Sequence, residues 1–458
     1  MKTTGDQQLV KRINRSVLLR LVRAQPGLSR AQVALQSGLT KSTVSTAVRE
    51  LLDDGWLTEA TGALVAASCA MAAGQGRPST PLRICPRSRA LIGVEVAVDC
   101  LRVAAVSLLG KVLWSKEEPL AAVAPAAVCA QVATLVAQAH SELGRHGFQC
   151  SGVGLGLPGA FEEASGILRF APNLGWRNLP FAPLMTQALA HAGLPNMPLH
   201  IQNEADAAVL SEYEFAHNEP SDALIFVTCD VGVGAGIVLD DRLYTGADGL
   251  AGEIGHTILQ FDGPLCSCGR RGCAETFIGA RALARELNDS GGLGQAGQSL
   301  GVLLHNLWTS FNPAVLVVGG KSCLEHPALV DIATQTLNAY AASAGMPPPV
   351  VRPARYGLFA AAVGAAALVL HRYLRPMPTR GAPSRAPSRA PSRTPSRTAS
   401  RAPSRNFRSA ISSADPRTDL RTYPDTAALV ATAKGPRDDS HKGTRKRKRP
   451  LTSQAVLA

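Results

Sequence analysis

Residues 253–275 read EIGHTILQFDGPLCSCGRRGCAE, and the spacing of one histidine and three cysteines in this stretch governs how the middle of the chain folds. The side chains that can bind a metal are His256, Cys266, Cys268 and Cys273. Imidazole and thiolate are the donors that a closed tetrahedral Zn²⁺ site prefers, so the set predicts one structural zinc ion. The alternative is that the cysteines are small buried apolar residues. A closed site has no position for a catalytic water, so it would hold a loop and the carboxylates of Glu253 and Glu275.

The composition indicates a large core and an uneven distribution of charge. The 458 residues are 46% apolar, which leaves room for two or three domains. Of the net charge of +13, residues 1–89 carry +8, residues 90–375 carry −8 and residues 376–458 carry +13. The two ends are therefore expected to meet polyanions. No apolar signal core is present and the Ala-rich stretch 358–370 is too short to span a bilayer, so we expect a cytoplasmic protein with no membrane partner.

Residues 9–53 have the pattern of three short helices. Apolar residues recur at helical spacing over residues 9–23, until a Pro-Gly pair breaks the pattern. Ser29 and Thr40 are placed to cap the second and third helices, and the tight turn between these helices predicts a helix-turn-helix. In such a motif the last helix contacts DNA. Its residues that suit base edges and phosphates are Lys41, Ser42, Thr43, Ser45 and Thr46.

The remainder of the basic head resembles the hairpin of a winged helix. Its Gly76-Arg77-Pro78 tip is narrow enough for Arg77 to enter a minor groove. We therefore predict a winged helix-turn-helix DNA-binding domain over residues 1–86. The alternative is a small helical interaction domain with a flexible linker, which the charge of +8 disfavours.

Residues 90–375 have an α/β pattern and residues 376–458 do not. Three successive strand candidates open the first part, and a second α/β unit begins with the strand ALIFVTC and a Gly-rich segment. Two such units predict two lobes with a cleft between them. The last part repeats Ala/Thr-Pro-Ser-Arg over residues 381–405 and reads RKRKR at residues 445–449. This composition predicts a disordered basic C-terminal tail, which adds non-specific DNA affinity, acts as a nuclear signal in a nucleated cell, or has no role.

The motifs GLAGEIGHT and CSCGRRGCAE resemble the signature of the ROK family, which joins bacterial sugar kinases to sugar-responsive transcriptional repressors. The likeness covers residues 90–375. It extends through Leu157-Pro-Gly159, Asn173-Leu-Gly-Trp176, the Asn203 motif and the glycines of residues 232–236. It implies a two-lobed, actin-like (ribonuclease H-type) fold with a sugar in the cleft and zinc beside it. The basic head matches the repressor branch, and the Glu-x-Ala-Val-Asp opening and the Asn-Glu-Ala motif look most like its xylose-responsive members.

Carried over position by position, the resemblance implies a set of sugar-binding residues. They are Asn203, Glu204, Glu253, Glu275, Gly159 and Asn173. Chemistry independently favours this set, because a fixed carboxylate accepts hydrogen bonds from two vicinal hydroxyls and an amide both donates and accepts. Gly159 and Asn173 also fit ordinary turns.

Two departures from the family's kinases predict that the chain is not an enzyme. The kinases open with Asp-x-Gly-Gly-Thr, whose glycines admit ATP phosphates, whereas this chain has Glu95-Val-Ala97-Val-Asp99. The kinases place their base in Asn-Asp-Ala, and here the motif is Asn203-Glu204-Ala205. The extra methylene of glutamate would misplace the carboxylate.

These features together predict a sugar-responsive regulator, a repressor of sugar uptake or catabolism genes, that is nucleoid-associated when bound to DNA. Its expected partners are a palindromic operator, a sugar or sugar phosphate, and further copies in a homodimer or homotetramer. One alternative is an ATP-dependent sugar kinase with a vestigial head. Another is a DNA-binding protein whose pocket no longer senses a ligand.

Overall fold

The computed structural model describes residues 7–59, 80–215, 223–247 and 249–376. The head contains helices α1 (Gln7–Ala24), α2 (Arg30–Ser37) and α3 (Lys41–Asp53), followed by strands β1 (Leu57–Glu59) and β2 (Leu82–Ile84). β1 and β2 pair antiparallel and form the base of the predicted wing. The predicted tip at Arg77 and the predicted C-terminal tail lie outside the described residues.

The helix-turn-helix forms where the sequence places its caps. Ser29 and Gln32 make a reciprocal capping box at the start of α2, and Gly38 ends that helix in the left-handed region at φ 70°. The hydroxyl of Thr40 accepts the N–H of Thr43 at 3.2 Å and caps α3. Apolar side chains of α3 are fully buried against the other two helices, which confirms the predicted head.

The first lobe is built on a five-stranded sheet. Its strands are β3 (Arg89–Val96), β4 (Cys100–Ser107), β5 (Val112–Pro119), β6 (Gln149–Leu157) and β10 (Leu199–Asn203), in the order β10-β6-β3-β4-β5. Helices α4 (Pro125–Arg145) and α5 (Phe181–His191) complete it, with a small sheet of β7 (Ala160–Glu162), β8 (Ile167–Ala171) and β9 (Trp176–Leu179). The sequence pattern did not reveal this small sheet, because strands of three to five residues contain too few alternations to detect.

The second lobe repeats this arrangement. Its strands are β11 (Ala223–Cys229), β12 (Val233–Leu239), β13 (Arg242–Leu243), β14 (Val315–Gly319) and β15 (Val350–Pro353), in the order β13-β12-β11-β14-β15. Its helices are α7 (Glu275–Ile278), α8 (Ala280–Ser290), α9 (Gly294–Phe311), α10 (Lys321–Glu325) and α11 (Pro327–Ser343). In both lobes an antiparallel meander continues into two parallel strands, so the predicted duplicated, two-lobed fold is confirmed.

Helices α6 (Glu204–Phe215) and α12 (Ala360–Leu374) lie between the two sheets. α12 is rich in alanine because it packs directly on backbone: a Cβ at Gly93 would come within 1.9 Å of the carbonyl oxygen of Ala362. A Cβ at Gly364 would likewise come within 1.8 Å of the carbonyl oxygen of Ala207 on α6. The two helices and the first sheet therefore meet without intervening side chains.

The segment Gly357–Leu374 is, within the described ranges, the one helical stretch long and apolar enough to cross a membrane by length and composition. This segment is longer than the Ala-rich stretch 358–370 that the sequence indicated. Two thirds of the segment (67%) is nevertheless buried inside the protein, and it packs on α6 and β3. Its apolar character is that of a core helix.

The head packs against the body through aromatic and apolar side chains. Trp56, just before β1, stacks on Tyr373 of α12 with ring centroids 4.0 Å apart. The Arg89 guanidinium lies 5.3 Å from the centre of the same indole ring. One continuous apolar cluster runs from α1 to α12. The boundaries drawn at residues 86 and 90 stay predictions.

Candidate functional site

A cavity of about 450 Å³ lies in the cleft between the two lobes. Its walls include the ends of β3, β6 and β11, the start of α6 and the loop before α7. The six residues predicted for sugar binding all line it: Gly159, Asn173, Asn203, Glu204, Glu253 and Glu275. The fold therefore brings together side chains that are separated by more than one hundred positions in the sequence.

Asn203 lies on the floor of the cavity, where its side chain connects two segments of the chain by hydrogen bonds. Its Nδ2 donates to the carbonyl oxygen of Gly159 at 3.1 Å and to Glu204 at 2.7 Å. Its Oδ1 accepts the N–H groups of Ala205 at 2.7 Å and Asp206 at 3.3 Å. Asn203 thus ties the loop after β6 to the first turn of α6, a capping role that its sequence motif did not reveal.

The glycines after β11 are required by packing. A Cβ at Gly232 would lie 2.7 Å from the carboxylate of Glu275. A Cβ at Gly236 would lie 2.1 Å from the carbonyl oxygen of Ala205. The Gly-rich hairpin therefore lets β12 touch α6 and leaves room for Glu275, and no phosphate is needed to explain it.

Carboxylates crowd the cavity. Burial raises the pKa of Glu204 well above its ordinary value, and the charges of Glu253 and Glu95 add to this shift. Burial also raises the pKa of Glu253, where His256 opposes the shift and Glu275 adds to it. A ligand whose hydroxyl groups donate hydrogen bonds relieves this crowding, whereas an anion increases it.

The cavity is also lined by charged residues that the sequence analysis did not assign to sugar binding. Burial raises the pKa of Glu95 to about 7, although Arg102 lies 3.3 Å away and opposes the shift. Arg102 also donates to Glu117 at 2.6 Å. Asp230 accepts the N–H of Lys321 at 2.5 Å. The sequence contained a signal for Glu95, because it is the charged residue within the apolar strand LIGVEVAV. A buried acid at such a position usually has a structural or functional role.

His256, Cys266, Cys268 and Cys273 can hold a metal ion, because their donor atoms lie within 4.8 Å of one another. The sulfurs of Cys268 and Cys273 are 3.7 Å apart, and Nδ1 of His256 is 3.7 Å from the sulfur of Cys266. A tetrahedral zinc with Zn–S bonds of about 2.3 Å separates two sulfurs by about 3.8 Å. Two of the donor separations therefore match a tetrahedral ion, and imidazole and thiolate are the donors that zinc prefers.

The loop that carries these donors is shaped by backbone conformation and connects them to the cavity. Gly272 has φ 70°, and a Cβ there would come within 1.6 Å of the carbonyl oxygen of Gln260. The other ring nitrogen of His256, Nε2, lies 4.0 Å from the carboxylate of Glu253. Glu275 follows Cys273 by two residues. Both cavity carboxylates are thus next to residues that can hold the metal.

The exposed side of α3 carries the residues predicted to contact DNA. Lys41, Ser42 and Thr46 are exposed, whereas Thr43 and Ser45 are half-buried. The hydroxyl of Thr43 lies 2.9 Å from that of Thr40, so it takes part in the helix cap. Arg49 is exposed on the same helix, one turn after Ser45. This cation was not among the residues predicted to contact DNA.

Known proteins match both parts of the chain. A family model described as "ROK family" matches residues 91–296, and one described as "Winged helix-turn-helix DNA-binding" matches residues 12–58. The xylose repressor of Bacillus subtilis is 26% identical over 396 residues, which are 81% of this chain and 98% of that protein. The xylose repressor of Caldicellulosiruptor bescii is 30% identical over 280 residues, 61% of this chain and 67% of that protein.

Among solved structures, a ROK family transcriptional regulator described as a homologue of the E. coli MLC protein matches with a TM-score of 0.65. It is 22% identical, and the match covers 80% of this chain and 97% of that one. At this identity the likeness concerns the fold, which includes the two lobes.

Proposed function

The chain belongs to the ROK family, and from that premise we propose that it is a sugar-responsive transcriptional repressor. One observation carries the proposal: a winged helix-turn-helix and a cavity lined by carboxylates and amides lie in one packed unit. The xylose repressors that the chain resembles support the same function, since one of them is matched over 98% of its length. A cytoplasmic location follows from this function.

The cavity would bind the sugar through its amide and carboxylate groups. Glu253 and Glu275 each accept hydrogen bonds from neighbouring hydroxyls, and Glu204 does so from the opposite side. Asn203 holds the loop after β6 against α6, and Gly159 and Asn173 also line the cavity. Zinc bound by the histidine and three cysteines would hold the two carboxylates of the loop in position.

The head would bind operator DNA through α3. Lys41, Ser42 and Thr46 are exposed and free to approach base edges and phosphates, and Arg49 extends this surface. Ser45 and Thr43 would contact the groove from half-buried positions, and Arg77 would reach the minor groove. Two heads on a palindromic operator imply a homodimer or homotetramer.

A regulator is favoured over a kinase by the side chains that occupy the cavity. Ala97, Val98 and Asp99 line the wall where the family's kinases have the glycines that admit phosphates. Asp230 adds a second carboxylate near that wall. Glu204 stands where the kinases have the aspartate that acts as the base, and its longer side chain would misplace the carboxylate. The phosphoryl-transfer machinery is, on this view, lost.

The proposed function is tested by measuring operator affinity with and without sugar. An operator is first selected from random duplexes with the purified protein. We expect a saturating free sugar to change its Kd at least tenfold, about 1.4 kcal/mol of coupling. Ser45→Ala should weaken operator binding while keeping the thermal shift with sugar, and Glu253→Ala should do the reverse. Failure to enrich any duplex sequence would contradict the proposal.

The charge of the cavity predicts a preference for an uncharged effector. Its acidic residues are Glu95, Asp99, Glu204, Asp230, Glu253, Glu275 and Glu325. The lysine and arginine side chains in the lining are Arg102, 3.3 Å from Glu95, and Lys321, 3.9 Å from Glu325. We expect calorimetry to give a sugar phosphate at least roughly tenfold weaker affinity than its parent sugar. Equal affinity would show that the carboxylates do not set specificity.

A further inference from the structure

We propose that Glu214 is a positioning residue that transmits the state of the cleft to the DNA-binding head through Arg23. The inference rests on the proposed function. It starts from α6, which begins with Glu204 in the cavity and ends at Phe215, beside the head. At about 1.5 Å per residue, these twelve residues span roughly 18 Å. One short helix thus connects the two proposed sites.

Glu214 lies in the last turn of α6 and is 2% exposed. Its carboxylate pairs with Arg23 of α1. On the side of α12, it contacts Nδ1 of His371 at 2.7 Å and the guanidinium of Arg375 at 2.7 Å. Burial alone would raise the pKa of Glu214, but Arg23, His371 and Arg375 hold it well below its ordinary range. The carboxylate is therefore charged and joins head, α6 and α12.

A second ion pair between head and body is more exposed. Arg20, three residues before Arg23 on α1, pairs with Asp241 in the turn between β12 and β13 at 3.0 Å. Both side chains are nearly half exposed, 44% and 47%. Solvent screens such a pair, so it contributes little to the position of the head. The side chain of Arg23 is 13% exposed and the side chain of Glu214 is 1% exposed, which makes this pair the stronger connection.

The connection is stiff at each step. α6 touches α12 backbone to backbone at Gly364, so the two helices move together. α12 carries His371 and also Tyr373, which stacks on Trp56 of the head, and Arg375 follows its last residue. A rotation of α6 that follows sugar binding at Glu204 would therefore displace Glu214 and its partners as a group. Arg23 would follow, because a buried carboxylate keeps its partner.

The test separates coupling from binding. For Arg23→Gln, Arg23→Lys and Arg20→Gln, we would measure the sugar Kd by calorimetry and the operator Kd with and without sugar. Arg23→Gln leaves Glu214 paired with His371 and Arg375, so folding should persist. We expect its operator Kd to change less than threefold with sugar, while its sugar Kd stays within threefold of wild type. Arg23→Lys should restore part of the response, and Arg20→Gln should respond like wild type.

Reciprocity gives a second readout. Operator DNA should shift the sugar Kd in wild type by the same factor as sugar shifts the operator Kd, and Arg23→Gln should lose both shifts together. A merely structural role would lower the melting temperature without changing this factor. A wild-type response in Arg23→Gln would overturn the proposed role of Glu214 and leave the repressor function standing. Absence of any response in wild type would overturn both.

Discussion

Cys273→Ser is expected to remove the metal from the protein and, with it, the response to sugar. Cys273 is fully buried, and its sulfur lies 3.7 Å from that of Cys268. Serine is a poor ligand for zinc, and three remaining donors no longer close a tetrahedral site. Helix α7, whose first residue is Glu275, begins two residues after Cys273. We expect zinc content to fall from one per chain towards zero and sugar affinity to fall at least roughly tenfold.

Elemental analysis and calorimetry on the same sample check this expectation. Cys129→Ser is the matched control, because Cys129 is also buried (1% exposed) but lies on α4 of the first lobe. It should retain both zinc and sugar binding. Full zinc occupancy in Cys273→Ser would refute the ligand assignment. Loss of zinc with unchanged sugar affinity would instead refute the role given to the loop.

The second large effect is an absence of catalysis that a single substitution does not reverse. The wild-type protein is expected to transfer no phosphate from ATP to a sugar, and Glu204→Asp should not gain this activity. The reason is that Ala97 and Asp99 still occupy the wall that would hold the nucleotide phosphates. Adding Ala97→Gly, Val98→Gly and Asp99→Thr to Glu204→Asp should yield at most a trace.

A coupled assay for ADP over a panel of sugars measures this. Sugar affinity provides the control, because Glu204→Asp keeps the carboxylate and should change the Kd by less than tenfold, about 1.4 kcal/mol. Turnover by the wild type at an ordinary enzymatic rate, on the order of 1 s⁻¹, would show that the protein is a kinase and would refute this prediction.

The features that could be predicted from the sequence are those that local patterns specify. The caps at Ser29 and Thr40 are adjacent to the helices they begin, and the cysteine spacing within residues 266–273 is itself local. The hairpins of both lobes follow from alternating apolar strands and turn residues. The helices of the head and the hairpins of both lobes lie where the sequence patterns predicted them.

The features that escaped prediction depend on contacts between distant residues. Arg23 and Glu214 are 191 positions apart, and no pattern at either one identifies the other. The hydrogen bond from Nδ2 of Asn203 to the carbonyl oxygen of Gly159 joins residues 44 positions apart, which only the folded sheet brings together. Asp230 is an ordinary acid after a strand until the fold places Lys321 beside it. Tertiary structure, rather than propensity, decides such roles.

The backbone contacts of α12 restrict three positions of the chain to glycine. A Cβ at Gly93, Gly154 or Gly364 would approach a carbonyl oxygen to within 1.8–1.9 Å, and no rotamer change can relieve a clash between backbone and Cβ. The constraint is the same whether the cavity binds a sugar or nothing, and whether the head binds DNA or not. Glycine at these positions is therefore required by packing alone, and any side chain there should destabilise the fold whatever the cavity and the head bind.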